Sequence, residues 1–448
     1  MKIRNVECTG LNELLEYMSE YNDGLRTEEF NEMLKSINLT FTAEGINRFQ
    51  SMLLCENFDS YVQQSQRYVV AGQTNIDIKS LNCDNIKNIE SLITKAFTIY
   101  NKMSELTDEI KKKKAAGEKV GRPNISHYKY GIPIEDARYI LPLAVTTNVQ
   151  VSMPMDKFKE LMTILFRNNE RTLSAELSRM LLSIFGKEIC DFCINWIIPI
   201  NNTANDFYNT KYFNKIDDEN NVVFFESFKD IDNNVARGAL TSTMGSCPDE
   251  YIKKPTITRT IENVLSYGHT GIKEQGRYTF GYMMSMTCAH QFMRHRIHTL
   301  VRESFMDVIK DTNRKPVVPQ TIKDSIFYNE YIELAKEFRT FRYNLVCNKN
   351  TFNVETLLLN CDQVKYVETV NARADEWVMR ERTCMTAAWE IRGLMMKKLK
   401  ILKNMSELLF ETAAPTCILT GKCKEGGMCC GHMKDVQKAF KKLRISEK

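Results

Sequence analysis

The stretch Ile37-Asn38-Leu39-Thr40-Phe41-Thr42-Ala43 alternates apolar with polar residues, the period-two pattern of a half-buried strand. From Ile46 to Leu54 the apolar positions fall at helical spacing instead. Ser60 to Val69 is polar on both faces and does not read as core. A strand is expected over Ala144 to Val151, then an amphipathic helix from Asp156 to Phe166 and a further helix to about Cys193. Pro199 to Asn205 reads as a linker, and from Val222 the pattern restarts. An aromatic and apolar run then extends from Tyr278 to Met286.

Breakers and charge refine this outline. Lys111 to Lys114 opens a charged insertion with Gly and Pro that runs to Pro133, most simply a surface loop. At 448 residues the chain is long enough for two domains. With 43% hydrophobic and 26% charged residues, it has the composition of a globular protein rather than a disordered one. The net charge of +5 is too mild to argue for a nucleic-acid partner, but it is compatible with an anionic small ligand in a local basic pocket. No run of 18 or more apolar residues offers a membrane span. Met1-Lys2-Ile3-Arg4 is not a signal peptide, so a cytoplasmic protein is expected. The 14 cysteines then read mostly as reduced, buried thiols. In the tail, Cys417, Cys423, Cys429 and Cys430 precede His432 at spacings that match no zinc motif, and no metal is expected. Lys434 to Lys448 reads as a solvated amphipathic helix.

Candidate chemistry concentrates in Gln291-Phe292-Met293-Arg294-His295-Arg296, which continues to Ser304. Three adjacent cationic or hydrogen-bonding side chains cannot all enter a core, because unpaired buried charge is costly. At a helix or strand end they would form a donor surface for phosphates or an electron-rich ring. Upstream stand Gly268-His269 and Glu274; downstream stand Val370-Asn371-Ala372-Arg373, Met379-Arg380-Glu381-Arg382 and Ala388-Trp389-Glu390-Ile391. G-H-x4-E, Q-x2-R-H-R and x7-S in this order, with N-A-R and the last block behind them, resemble the signatures of flavin-dependent thymidylate synthases. The resemblance covers nearly the whole chain as a tandem repeat, divided into residues 1–205 and 206–448. It implies an α+β fold: two copies of a mixed or antiparallel sheet flanked by helices.

The two copies depart from the family pattern in complementary ways. The first has Ser65-x-Arg67-Tyr68 and Ala137-Arg138-x2-Leu141-Pro142, but Cys55-Glu56-Asn57 where R-H-R belongs and Pro154-Met155-Asp156 where N-A-R belongs. The second keeps R-H-R, Asn371, Arg373 and Arg382, but has Met306 and Glu355 at the positions of Arg67 and Arg138. Complementary losses imply a composite site drawing on both copies, and a homodimer imitating the family's tetramer. Independent degeneration of both halves is the alternative.

What the resemblance implies for chemistry is the conversion of dUMP to dTMP, with methylenetetrahydrofolate as carbon donor and NADPH reducing bound FAD. It assigns Gln291, Arg294, Gln63, Gln64, Ser65, Arg67, Arg138 and Arg382 to the nucleotide. It assigns Arg294, His295, Arg296, His269, Glu274, Asn371, Arg373 and Gln63 to FAD. Arg382, with Arg294 and His295, would carry catalysis by stabilising negative charge on the uracil. Trp377 stands where the family has a different flavin-contacting residue. The residues admit plainer readings: Arg67 capping a helix or pairing with an acid, Arg138 in a surface pair with Glu135, His269 as a turn residue, Met379 and Trp389 as core. An enzyme acting on another pyrimidine nucleotide and an inactive flavin- or nucleotide-binding homologue remain as alternatives.

Overall fold

A computed structural model describes residues 1–20, 27–57, 59–66, 70–72, 76, 85–105, 108–117, 132–194, 203–242, 253–349, 353–426 and 429–443. Two compact units emerge. The first comprises Met1–Asn202, Ser285–His290 and Ser304–Gln363; the second comprises Thr203–Met284, Gln291–Glu303 and Val364–Lys448.

In the first unit, strands β1 (Lys2–Thr9), β2 (Asn38–Asn47), β3 (Ser60–Gln63) and β4 (Thr146–Pro154) form an antiparallel sheet in the order β1-β2-β4-β3. The alternation that marked residues 37–43 is realised: Leu39, Phe41 and Ala43 are buried while their neighbours are not. Helix α1 (Arg48–Glu56) starts where Asn47 caps it, its side chain accepting from Gln50 N at 2.8 Å while Gln50 Oε1 accepts from Asn47 N, a reciprocal capping box. Every residue from Arg48 to Cys55 is buried. Helix α2 (Met155–Arg167) lays Phe158, Leu161, Met162 and Leu165 into the core, and Phe158 meets Phe41 edge-on at 6.2 Å between ring centres.

The later segment of this unit is tied in by backbone and by a buried ion pair. Leu143 N donates to Leu358 O at 2.7 Å, and Asn360 N donates to Leu141 O at 2.9 Å. Leu141–Leu143 and Leu358–Asn360 belong to the blocks that correspond in the two copies. Arg342, 1% exposed, pairs with Asp362 at 2.9 Å and donates to Leu357 O.

The second unit repeats the topology. Strands β5 (Val222–Ser227), β6 (Arg277–Ser285), β7 (Thr299–Arg302) and β8 (Gln363–Asn371) lie in the order β5-β6-β8-β7, the same relative order as β1-β2-β4-β3. Its helices include α3 (Ile231–Thr241), the last two residues of α4 (Met286–Phe292, of which Met286–His290 belongs to the first unit), α5 (Ala372–Arg382) and α6 (Trp389–Met405). Gly281 on β6 admits no side chain: a Cβ there would lie 2.5 Å from Ile216 and from Phe225.

Several expectations change. Lys111–Lys114 lies not in a loop but in a helix, Asp108–Ala115, where Glu109 pairs with Lys113 at i,i+4; charge pairing along one face stabilises a helix that charge density alone disguised. From Thr203 the expected linker is helical, while 195–202 fall outside the described residues. Tyr61 on β3 is buried and donates its hydroxyl to Cys55 O at 3.1 Å, so that segment does reach the core. The thiols are mixed: Cys55, Cys288 and Cys361 are buried, whereas Cys347 and Cys429 are exposed. The tail helix, Met433–Leu443, buries Val436 and Phe440 and is solvated on its remaining face only. Among the described residues no helix is long and apolar enough to cross a membrane.

Phe158→Ala removes a fully buried ring between α2 and β2. Urea denaturation should show a loss of about 3–5 kcal/mol; a change below about 1 kcal/mol would mean the site collapses around the cavity or the packing is looser than described.

Candidate functional site

Arg294 and His295 sit on a tight 3-10 turn, Met293–His295, which Arg296 caps, between α4 and β7. The turn sorts its side chains. Phe292, Met293, His295 and His298 face inward and are buried, while Arg294 and Ile297 are exposed and Arg296 is half-buried. The inward set is held from below. Tyr366 donates to Met293 Sδ at 3.5 Å, the His298 ring packs on Phe292 at 4.8 Å, and His298 Nδ1 meets Glu368 at 2.6 Å.

Glu368 belongs to a charge network with no exposed member. Lys398 on α6 reaches Glu368 at 2.5 Å and Asp375 at 2.8 Å. Tyr282 donates to Glu368 at 2.5 Å and Tyr278 to Asp375 at 2.7 Å. Burial by itself would push the Glu368 carboxyl up, but the Lys398 charge and the His298 hydrogen bond outweigh it and hold its pKa at about 2. Burial pushes Asp375 the other way, above the usual carboxylate range.

Above this network, Arg382, in the last turn of α5, donates from Nε to His295 Nε2, and its Nη2 lies 3.5 Å from Gln291 O. The His295 ring meets Trp377 edge-on at 5.2 Å. Burial, followed by the Arg382 charge, pulls the His295 pKa down to about 2, so the imidazole is neutral at ordinary pH. Since Nε2 accepts from Arg382, the ring proton resides on Nδ1. Among the described residues that buried N–H has no partner, and neither does the buried Gln291 amide nitrogen.

Beside them opens a concavity of about 400 Å³ lined by Glu274, Ile297, Asn371, Arg373, Ala374 and Trp377. Asn371 caps α5 by accepting from Ala374 N at 2.9 Å, which aims the helix N-terminus at the concavity. Arg373 pairs with Glu274. The structure thus gathers Gln291, His295 and Arg382 into one contact set and Glu274, Asn371 and Arg373 into an adjoining wall, with Trp377 touching both. Arg294 is exposed, and His269 stands exposed at the start of the 3-10 turn Thr270–Gln275. Ile297 was not singled out from sequence; its only signal was its place directly after R-H-R.

The remaining candidates belong to the first unit. Gln63 ends β3, with its amide nitrogen buried and, among the described residues, unpartnered. Gln64 is exposed, Ser65 is half-buried, and Arg67 lies outside the described residues. Arg138 is 5% exposed, which excludes a surface pair; its Nε donates to the backbone oxygen of Glu135 at 3.1 Å, and its own carbonyl accepts from Asn360. Sequence reasoning missed Arg48, at the first turn of α1. Burial and then the Arg138 charge pull its pKa down to about 9, and its Nε has no partner among the described residues. The only sequence signal was a single cation in a helix that otherwise carries no charge before Glu56. Where the first copy lacks R-H-R, its stand-ins serve structure: Asn57 is buried and donates to Lys157 O at 2.6 Å, and Cys55 lies 3.3 Å from His290 Nε2.

The model of the family described as thymidylate synthase complementing protein matches residues 9–179 and again 225–406, together well over half of the chain. The chain belongs to this family. Similar proteins include flavin-dependent thymidylate synthases of Geobacter sulfurreducens, 30% identical over 200 residues (44% of this chain, 86% of that protein), and of Clostridium tetani, 26% identical over 208 residues (42% and 83%). That of Pyrococcus furiosus is 25% identical over 209 residues (44% and 86%). Each relative aligns with less than half of this chain while most of its own length is covered, and the family model matches twice. The duplicated strand order is the same fact seen in three dimensions. The family is one of enzymes.

Three outcomes follow from the buried titratable groups. Lys398→Met leaves Glu368 and Asp375 without their cation and should cost about 3–5 kcal/mol in denaturant unfolding; a neutral effect would show that protonation of the carboxyls absorbs the loss. Because the folded pKa of Glu368 is depressed, its contribution is present above about pH 4, the range of an unfolded glutamate, and is lost as pH falls toward 2. His295 should show no titration of its ring carbons by NMR between pH 5 and 8, and a midpoint near 6.5 in that experiment would contradict the Arg382 contact.

Proposed function

We propose that this chain is a flavin-dependent thymidylate synthase that methylates dUMP reductively to dTMP, with methylenetetrahydrofolate as carbon donor and NADPH as reductant of bound FAD. The observation that carries the reading is the neutral His295, held between Arg382 and Trp377 with its Nδ1–H unpartnered among the described residues. A buried donor without an acceptor costs about 1–3 kcal/mol, and an acceptor supplied by a ligand removes that cost. A planar ring with acceptor atoms along one edge suits the half-exposed Trp377 face and the adjoining concavity.

Gln291 and His295 would donate to the ring, and Trp377 and Ile297 would cover it. Arg373, released from Glu274, and the N-terminus of α5 would receive phosphate, where helix amides and a guanidinium both favour an anion. Bound there, the flavin supplies the redox chemistry. Arg382 would stabilise negative charge developing on the pyrimidine, a contribution typically of a few kcal/mol. Gln63, Gln64, Ser65, Arg67 and Arg138 are assigned to the nucleotide on their sequence motifs, with Arg48 added as a cation beside Arg138. Arg294, Arg296 and His269 keep the roles that the family resemblance implies, and a dimer of the chain would carry the four copies of a family tetramer.

The visible spectrum of the purified full-length protein tests this. Bound oxidised flavin should bleach under anaerobic NADPH and recover with dUMP and methylenetetrahydrofolate, with dTMP as product. Product from dCMP instead would move the reading to another pyrimidine nucleotide. A colourless protein that takes up no added FAD would leave an inactive homologue. Arg382→Lys should keep the flavin and lower turnover about 100-fold or more, in line with the loss of one positioned donor. Sedimentation of the same sample reads the dimer.

A further inference from the structure

A second concavity of the second unit, about 350 Å³, shares no lining residue with the candidate site, although α5 contributes to both. Its buried end is built around Glu376 on α5, which receives three donors: Lys273 Nζ at 2.7 Å, the Thr412 hydroxyl at 2.7 Å, and Arg380 Nη2. The Lys273 and Glu376 side chains are only 3% and 7% exposed. Burial alone would raise the Glu376 carboxyl, but the Lys273 charge and hydrogen bond outweigh it and hold its pKa below the usual carboxylate range. The two cations keep donors in reserve. Lys273 has three N–H groups; Glu376 takes one and Thr412 Oγ1, at 3.1 Å, a second. Arg380 Nε is buried and has no partner among the described residues. Two cations facing one carboxylate leave the floor one net positive charge, and buried donors without acceptors are costly. The G-H-x4-E spacing leaves position 273 open, so this floor is a feature of this chain rather than of the motif.

The exposed part of the lining has the opposite sign. Glu262, on the helix Lys254–Ser266, and Glu411, just past the short helix Glu407–Phe410, are both exposed. The half-buried Leu265 and Leu408 complete an apolar wall. A simple anion would satisfy the floor but meet the carboxylates of the rim, and a simple amine would satisfy the rim but meet the cations of the floor. A small zwitterion satisfies both. We infer that this concavity is a binding site for an α-amino acid with an aliphatic side chain. The ligand carboxylate accepts from Lys273 and from Arg380 Nε, the ammonium faces Glu262 and Glu411, and the side chain lies against Leu265 and Leu408. The volume is within the range of small-molecule sites. No covalent step is involved.

Equilibrium dialysis of the full chain with labelled L-leucine tests the site. It needs neither flavin nor turnover, so its outcome is independent of the proposed reaction. Saturable binding at one site per chain is expected. As competitors, 4-methylpentanoate, which lacks the ammonium, and 3-methylbutylamine, which lacks the carboxylate, should each be at least about tenfold weaker than unlabelled leucine, the loss of one charged hydrogen-bonding end. Arg380→Gln should weaken leucine about tenfold on the same ground. The double variant Glu262→Gln, Glu411→Gln should weaken leucine yet strengthen 4-methylpentanoate, because the repulsion at the rim is gone. Absence of saturable binding would overturn the assignment. So would a carboxylate or an amine that competes as well as leucine, or a rim variant that binds all three compounds as the wild type does. Circular dichroism checks that each variant folds; should Arg380→Gln not fold, the rim variant, altered only at exposed positions, decides.

Discussion

The Lys398 ammonium is the interaction on which the second unit depends. It is fully buried, and it compensates Glu368 on β8 and Asp375 on α5 while sitting on α6. One cation therefore binds a strand and two helices together. Burying such a group is expensive, and the arrangement persists because both Glu368 oxygens and Asp375 Oδ2 receive donors, with Tyr278, Tyr282 and His298 supplying the rest. Asp375 Oδ1 has no partner among the described residues, and its carboxyl is pushed above the usual range. The same carboxylate that Lys398 neutralises anchors His298, three residues past His295. The geometry of the R-H-R turn thus rests on a charge network within the core rather than on the turn's own short hydrogen bonds.

The turn itself shows how a basic cluster is divided. His295 becomes a neutral, buried acceptor for Arg382, whereas Arg294 is left in solvent. Neighbours in sequence so acquire opposite electrostatic character. The corresponding place in the first unit has been converted to structure, with Asn57 bonding to a backbone oxygen and Cys55 against His290. One strand order, 1-2-4-3, supports both outcomes, because the sheet determines where the turn emerges and not what it carries.

The compact units do not coincide with the sequence repeats. Residues 304–363 of the second repeat pack with the first unit. The hydrogen bonds between Leu141–Leu143 and Leu358–Asn360, and the buried pair Arg342–Asp362, account for this. Backbone donors in a buried segment must find acceptors, and these segments find them in each other's corresponding blocks.

Much of this was legible in the residues themselves. Period-two alternation marked β2, and apolar spacing marked α1 and α2, because burial of one face imposes its period on the sequence. The spaced motifs marked the family and the duplication, since positioned arginines, histidine and asparagine are constrained individually. What the sequence could not determine was pairing over distance. Lys398, Glu368 and Asp375 read as ordinary charged residues until the fold placed them within 3 Å and out of solvent. Arg138 read equally well as a ligand contact or a surface pair, and only its burial excluded the latter. Trp377 read as a departure from a pattern until its ring was found against His295. Local periodicity is written residue by residue, whereas the protonation state of His295 and the company of Lys398 depend on desolvation and on partners dozens of residues away, which only the tertiary structure brings together.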